Sequence, residues 1–339
     1  MEPTAGIAAG PPLKLVVMGT GPFAVPMFEA LRRSPHQICA LITRPVHAAP
    51  GRRPPPNPMR EAAVAAGLPV LDPERVNDAD SIAAIERLAP DLLVVCDYGQ
   101  ILAPRLLAVA PLGGINLHGS LLPRHRGAAP VQWAILEGDP IAGVSVIHMT
   151  PALDAGAVIL ARALPVYPGN TAVDLERMLA ELGAGATLEA IERLQAAALV
   201  RTPGEPLAVG MPQDAAQVTK APRLTKADGN VNWSLPASRI ERMRRALEPW
   251  PRTTVFLHRE GGPPLRIVLE DVAVAHDHAG TIGDAAPGTI LSAADTGITV
   301  ACGGGTVLVI RRLVPEGRRG MSAAEFLRGH PILPGMRFA

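Results

Sequence analysis

The sequence predicts an α/β protein in which a Rossmann-like, doubly wound and mostly parallel sheet is followed by a small β-barrel. Three observations predict it. Short apolar runs alternate with helix-period stretches from Leu13 to Ala197, as in repeated strand–helix–strand units. The runs Leu13–Met18 and Asp91–Cys96 are almost continuously apolar, as strands covered on both faces are. From Thr253 to Ile310 the pattern changes to short β-rich runs separated by glycine-rich turns.

In chain order, Leu13–Met18 leads into Gly19-Thr-Gly-Pro-Phe-Ala24 and a helix over Val25–Arg33. Gly19-x-Gly21-x-x-Ala24 satisfies a loose dinucleotide fingerprint, so an NADP-dependent oxidoreductase is a rival from another class. Pro22 weakens that rival by removing a backbone donor where a pyrophosphate would be cradled. After the next strand, Ile38–Thr43, Arg44 stands where an acid would hold a ribose, although it could instead read a 2′-phosphate. The stretch Arg44–Pro58 is too proline-rich for helix or inner strand and reads as a loop. Helices follow over Met59–Ala66 and Asp78–Leu88, with a short strand, Leu68–Leu71, between them. After Asp91–Cys96, a short helix over Pro104–Val109 enters the central strand. A helix over Ala129–Glu137, strands Gly143–Met149 and Val158–Pro165, and one or two amphipathic helices over Thr171–Ala197 complete this half.

The chain is long enough for two domains, and its 19% charged and 48% hydrophobic residues fit globular rather than disordered chains. No run approaches the roughly 18 uncharged apolar residues of a membrane span. Neither a secretory signal nor an Arg-rich transit peptide opens the chain, so cytoplasmic residence and no membrane partner are expected. Cys39, Cys96 and Cys302 are scattered without metal or redox spacing and read as buried free thiols. No metal is expected. The net charge of +1 argues against an indiscriminate polyanion binder, but residues 1–200 carry 15 Lys and Arg against 18 Asp and Glu, and residues 201–339 carry 17 against 13. That split fits a carboxy-terminal half that meets nucleic acid.

The chemistry concentrates in Gly114-Ile-Asn-Leu-His-Gly-Ser-Leu-Leu-Pro-Arg-His-Arg-Gly-Ala-Ala-Pro130. Asn116 and His118 are two apart at a strand end, so both point to one face about 6 to 7 Å from each other. An amide and an imidazole there can hydrogen-bond one developing oxyanion while the imidazole exchanges a proton; equally, such residues satisfy loop backbone groups. Asp154 sits in a turn at the end of another apolar strand, where it could orient the imidazole or serve ordinary turn chemistry.

The string Asn116–Pro130, with Gly138-Asp139, Gly143-Val144 and Leu153-Asp154-Ala-Gly156, closely resembles the methionyl-tRNA formyltransferase family. The resemblance extends along nearly the whole chain, including Glu181-Leu-Gly183 and Lys226-Ala-Asp-Gly-Asn-Val-Asn-Trp-Ser234. It implies transfer of formyl from 10-formyltetrahydrofolate to the amino group of methionyl-initiator tRNA, with Asn116, His118 and Asp154 catalytic. It also implies a folate site lined by Ser120, Leu121, Leu122 and Pro123 and by the loop holding Tyr98, Gly99 and Ile101. The proline-rich loop would approach the tRNA through Arg52 and Arg53, and the second domain would be an oligonucleotide-binding type of barrel. Candidate phosphate contacts there are Arg244 and Arg245 on a helix and Arg311 and Arg312 near the last strand, with a solvated arginine face as the alternative. This chain has Gly19-Thr-Gly21 where the family usually has Gly-Thr-Pro, and Val46 and His47 where the basic loop is usually richer in charge. An amino-sugar or other small-amine formyltransferase is the alternative within the same chemistry. The expected organisation is a disordered tail (1–11), a catalytic domain (12–200), a linker (201–217) and a tRNA-binding barrel (218–339), acting as a monomer.

Overall fold

The computed structural model describes residues 10–47, 54–201, 209–258, 263–275 and 285–339. Most of the expected tail, together with Arg52 and Arg53, lies outside the described residues. The chain divides into two compact units: residues 1–130, 141–165 and 176–222 form the first, and residues 131–140, 166–175 and 223–339 the second.

The elements run β1 (Lys14–Met18), α1 (Val25–Arg33), β2 (Gln37–Ile42), α2 (Pro58–Ala65), β3 (Val70–Leu71), α3 (Ala79–Glu86), β4 (Leu92–Val95), α4 (Pro104–Leu107) and β5 (Gly114–His118). They continue with β6 (Arg126–Gly127), α5 (Pro130–Glu137), β7 (Ile141–His148), β8 (Val158–Pro165), α6 (Ala172–Val200) and β9 (Lys220–Ala221). The first unit's seven-stranded sheet has the order β3-β2-β1-β4-β5-β7-β8. Pairing is parallel from β3 through β5, and β7 and β8 run antiparallel. The nine residues between β7 and β8 are too few for a parallel crossover, so these strands can only return on one another. Leu15, Val16, Val17 and Met18 are all fully buried, which is why β1 reads as a run of apolar residues rather than an alternation. Alternate residues Val16, Met18, Leu93 and Val95 pack with Ile82, Ile85, Tyr98 and Leu106 in one core cluster.

In this sheet the chain steps outward from β1 to β3 and then returns to build β4 and β5 on the other side of β1. The reversal opens a crevice beyond the carboxyl ends of β1 and β4, where ligands of open α/β sheets bind. The helical region after β8 is one helix of 29 residues.

The second unit contains α7 (Ala237–Ala246), β10 (Thr254–Leu257), β11 (Leu265–Ala275), β12 (Ile290–Ala294), β13 (Gly297–Cys302), β14 (Thr306–Pro315), β15 (Met321–Ser322) and α8 (Ala323–Gly329). Its antiparallel sheet has the order β10-β11-β14-β13-β12, with β15 on β14. The carboxy-terminal residues close it. Phe256 and Ala339 exchange backbone hydrogen bonds at 3.0 and 2.8 Å on one edge, and on the other Ile290 N–H donates to the Met336 carbonyl at 2.8 Å and Phe338 N–H to that of Gly288 at 2.9 Å. Phe338 is carried inward by this closure and stacks on Trp233 with ring centroids 5.8 Å apart.

Two expectations change. β14 continues to Pro315, so Arg311 and Arg312 lie within the strand, their alternation broken outward by the bulge near Asp271 on β11. Residues 209–217 of the expected linker, and residues 218–222 expected to open the second domain, belong to the first unit: Met211 bridges Val158, and β9 pairs with β6.

Candidate active site

The loops after β1, β4 and β5 converge at the carboxyl side of the parallel strands, and each holds residues singled out by the sequence. Asn116 and His118 occupy alternate positions at the end of β5, opposite Ile147 and Ser145 of β7. Asn116 is partly exposed, and among the described residues its amide has no side-chain hydrogen bond, so its N–H donors are available. His118 is buried, and its Nε2 donates to the His125 carbonyl at 2.9 Å. That bond leaves Nδ1 as the ring nitrogen free for exchange. Nδ1 faces Asp154 Oδ1 at 3.7 Å, with both side chains less than a tenth exposed. The separation is beyond a direct hydrogen bond and suits a shared water or a closer approach. Asp154 Oδ2 accepts the Gly127 N–H at 2.9 Å, so one carboxylate oxygen is anchored while the other meets the imidazole. Asp154 (φ 50°) and His125 (φ 58°) hold left-handed backbone conformations that L residues seldom adopt, the kind of strain that surrounding structure must impose.

The loop after β5 is pinned from beneath. Ser145 Oγ donates to the Ser120 carbonyl at 2.8 Å and accepts the Leu122 N–H at 3.0 Å, and Ser120 Oγ donates to the Arg124 carbonyl at 2.6 Å. A Cβ at Gly143 would overlap Leu121, so the leucine lies on a strand position only glycine can supply. Ser120 and Leu121 therefore shape the loop, and Leu122 and Pro123 keep partial exposure. Tyr98 is 2% exposed and packs in the core, so it anchors the second loop from below, whereas Ile101 is 63% exposed. Ser145, His125, Gln213 and Thr219 also hold the site together. His125 lies within the motif string without a role assigned to it, and no motif marks Ser145, Gln213 or Thr219, because their roles come from long-range pairing.

The turn after β1 is already occupied by an acid. Asp97 (φ 49°) accepts the Gly21 N–H, and a Cβ at Gly21 would overlap Asp97 Oδ2. Loss of water pushes the Asp97 carboxyl up to about 6, the Gly21 hydrogen bond opposing the rise. Asp97 as a residue keeps exposed surface, while the Gly21 N–H holds its carboxyl inward; the exposed side still admits screening water. A carboxyl in the position of a pyrophosphate argues against the dinucleotide reading. The raised value means that the stabilising contribution of this group is full below about 3.8 and is lost as pH rises through about 6. Asp97→Asn is therefore expected to melt a few degrees higher than the parent at pH 7.5 and with little difference at pH 4, measured by thermal denaturation across that range.

Of the candidate arginines, Arg245 is committed internally: it is paired with Glu241 at 2.7 Å and donates to the Asn170 carbonyl at 2.9 Å, with 12% of its side chain exposed. Arg244 Nε donates to the Glu270 carbonyl at 2.8 Å. Both rivet α7 within the second unit. Arg312 pairs with Glu270 at 3.3 Å and remains half-exposed, and Arg311 is exposed.

An imidazole facing a carboxylate at 3.7 Å, two positions along β5 from an amide, suits acyl transfer to an amine. The class agrees with two family models: formyl transferase matches residues 13–191, and formyl transferase, C-terminal domain, matches residues 223–331. The chain is 46% identical over 333 residues to a methionyl-tRNA formyltransferase of Rhodopirellula baltica, covering 96% of each, and 39% identical over 321 residues to that of Desulfotalea psychrophila, covering 94% of each. This chain belongs to the methionyl-tRNA formyltransferase family and is a formyl-transferring enzyme. Its fold is shared with an N-formyltransferase of Helicobacter canadensis solved with folinic acid and dTDP-3-aminofucose (TM-score 0.60, 14% identity, 88% of this chain and 98% of that one). HypX of Aquifex aeolicus, solved with tetrahydrofolic acid, shares it as well (TM-score 0.54, 16% identity, 93% of this chain and 46% of that one). Among the described residues no helix is long and apolar enough to cross a membrane.

Proposed function

We propose that this enzyme transfers the formyl group of 10-formyltetrahydrofolate to the free α-amino group of methionyl-initiator tRNA, giving formylmethionyl-tRNA for translation initiation. The observation that carries the proposal is the buried His118–Asp154 pair, with Asn116 two positions before His118 on β5, in a chain that matches methionyl-tRNA formyltransferases along both domains. The neutral amine attacks the formyl carbon, forming a C–N bond and a tetrahedral oxyanion. Asn116 donates to that oxygen. His118, through Nδ1 and with Asp154 stabilising its cationic form, takes the proton from the amine and returns one to the folate nitrogen as the C–N bond to the folate breaks. Neither a covalent intermediate nor a metal is required. The donor lies along Leu122–Pro123 and the Tyr98–Ile101 loop, contacting mainly backbone groups. The reading carries with it a monomeric, cytoplasmic enzyme. Incubation with 10-formyltetrahydrofolate and methionyl-initiator tRNA should yield formylmethionine after ester hydrolysis, and elongator methionyl-tRNA should yield far less. Formylation of a nucleotide-linked amino sugar at the greater rate would overturn the assignment.

The tRNA would be met by Arg52 and Arg53 and by the exposed face of β14. Arg245 is engaged inside the unit and Arg244 through its Nε, so the electrostatic contribution is assigned to the exposed Arg311 and to Arg312, which stays half-exposed beside Glu270. Arg311→Glu with Arg312→Glu should raise the tRNA KM about ten-fold and make it less steep in salt by roughly two counterions, leaving the KM for the folate unchanged. Steady-state titration at several salt concentrations reads both effects.

A further inference from the structure

We propose that the segment Met211–Ala221 is a strap that orients His118 and Asp154, with Gln213 and Thr219 as its two positioning residues; the inference rests on the proposed roles of that pair. Sequence divides this stretch between a linker and the start of the second domain, and it holds no catalytic motif. In the structure it runs from the edge of β8 to the loop behind His118, inside the first unit. Met211 and Val158 exchange backbone hydrogen bonds at 2.8 and 2.9 Å at one end, and Ala129 N–H donates to the Ala221 carbonyl at 3.2 Å at the other.

Between these ends the strap reaches each member of the pair through one side chain. Gln213 Nε2 donates to the carbonyls of Asp154 and Gly156, both at 2.8 Å, bracketing the turn that points the carboxylate inward. Its Oε1 accepts from Nε and Nη2 of Arg126 at 3.0 and 2.7 Å. All four hydrogen-bonding positions of the Gln213 amide are filled, so the side chain has a single orientation. Thr219 does the corresponding work on the other side. Its Oγ1 accepts the His125 N–H at 2.8 Å and its carbonyl accepts the Arg126 N–H at 2.9 Å. The His125 carbonyl is the acceptor of His118 Nε2–H, so Thr219 sets the ring through one intervening residue. Both residues so gripped, Asp154 and His125, hold left-handed conformations, which cost free energy that the surrounding structure must offset.

The side-chain hydrogen bonds of Gln213 and Thr219 go to the carbonyls of Asp154 and Gly156, to Arg126 and to the His125 N–H. They act by holding Nδ1 against Oδ1, and groups that orient a reacting side chain typically contribute about 10- to 100-fold when removed. The test uses the full chain in the formylation assay, comparing wild type, His118→Ala, Thr219→Val, Thr219→Ser and Gln213→Met, with Gln217→Ala, whose side chain donates to Asp214, as control. Thr219→Val is the same size but cannot accept the His125 N–H; Thr219→Ser can. We expect kcat to fall about 10- to 100-fold in Thr219→Val and Gln213→Met with both KM values within about two-fold, and Thr219→Ser and Gln217→Ala to stay near wild type. In parallel, the His118 Nε2–H resonance should shift or broaden in Thr219→Val and return in Thr219→Ser. A Thr219→Val enzyme with wild-type kcat and an unmoved resonance would overturn the inference, as would a loss shared equally by Thr219→Ser or confined to KM. Should Gln213→Met fail to fold, the threonine pair decides alone. An inactive wild type, or a His118→Ala variant at full rate, would instead sink the functional reading, and the imidazole resonance would still report whether the strap sets the ring.

Discussion

His118→Ala is expected to lower kcat for formylation about 10³- to 10⁴-fold, and Asp154→Asn about 10²- to 10⁴-fold, with melting temperatures near that of wild type. Two features of the site set this scale. The imidazole has one nitrogen committed to the His125 carbonyl, so all proton exchange falls on Nδ1, and the facing Asp154 Oδ1 is the carboxylate oxygen not held by the Gly127 N–H. Asparagine keeps the shape and can still accept from Gly127, but it offers no charge to stabilise an imidazolium. Asn116→Ala removes a donor and not a proton carrier, and should cost about 10²- to 10³-fold. Single-turnover rates with saturating substrates measure all three. Near wild-type turnover in His118→Ala would remove the imidazole from the chemistry, whatever the other variants did.

The second large effect is on the backbone around the carboxylate. Gly127 has φ 132°, a conformation that side-chain-bearing residues rarely adopt, and a Cβ there would overlap the Ala221 carbonyl oxygen and stand 2.9 Å from its carbon. Gly127→Ala therefore combines backbone strain with forced separation of β6 from β9, on the order of 3 kcal/mol, or about 6–12 °C in melting temperature for a domain of this size. Because the Gly127 N–H is the donor to Asp154 Oδ2, activity should fall more steeply than stability. Gly185→Ala is the matching control. That position lies within α6 with nothing inside 4 Å of an added Cβ, so alanine there should stabilise by about 0.5–1 kcal/mol. Calorimetric melts of the two variants should move in opposite directions.

The period of two placed Asn116 and His118 on one face at the end of β5, where the structure has them, but the catalytic roles expected of these two and of Asp154 came from the family resemblance and not from local spacing. The alternation of elements dictated a sheet with its active edge at the carboxyl ends, and the apolar continuity of β1 and β4 dictated burial on both faces. What local pattern could not carry was anything settled by pairing across long stretches of chain. The antiparallel pairing of β7 with β5, the closure of the barrel by Met336–Ala339, and the hydrogen bonds of Arg244 to Glu270 and of Arg245 to Asn170 all depend on partners tens of residues away. The same holds for Gln213 and Thr219, which read as linker and domain entry because their partners, the carbonyls of Asp154 and Gly156 and the N–H of His125, are ordinary backbone groups. Composition and period report which side chains seek the core. They are silent on which backbone groups an isolated amide or hydroxyl will find, since every residue offers the same ones, and only the folded chain decides among them.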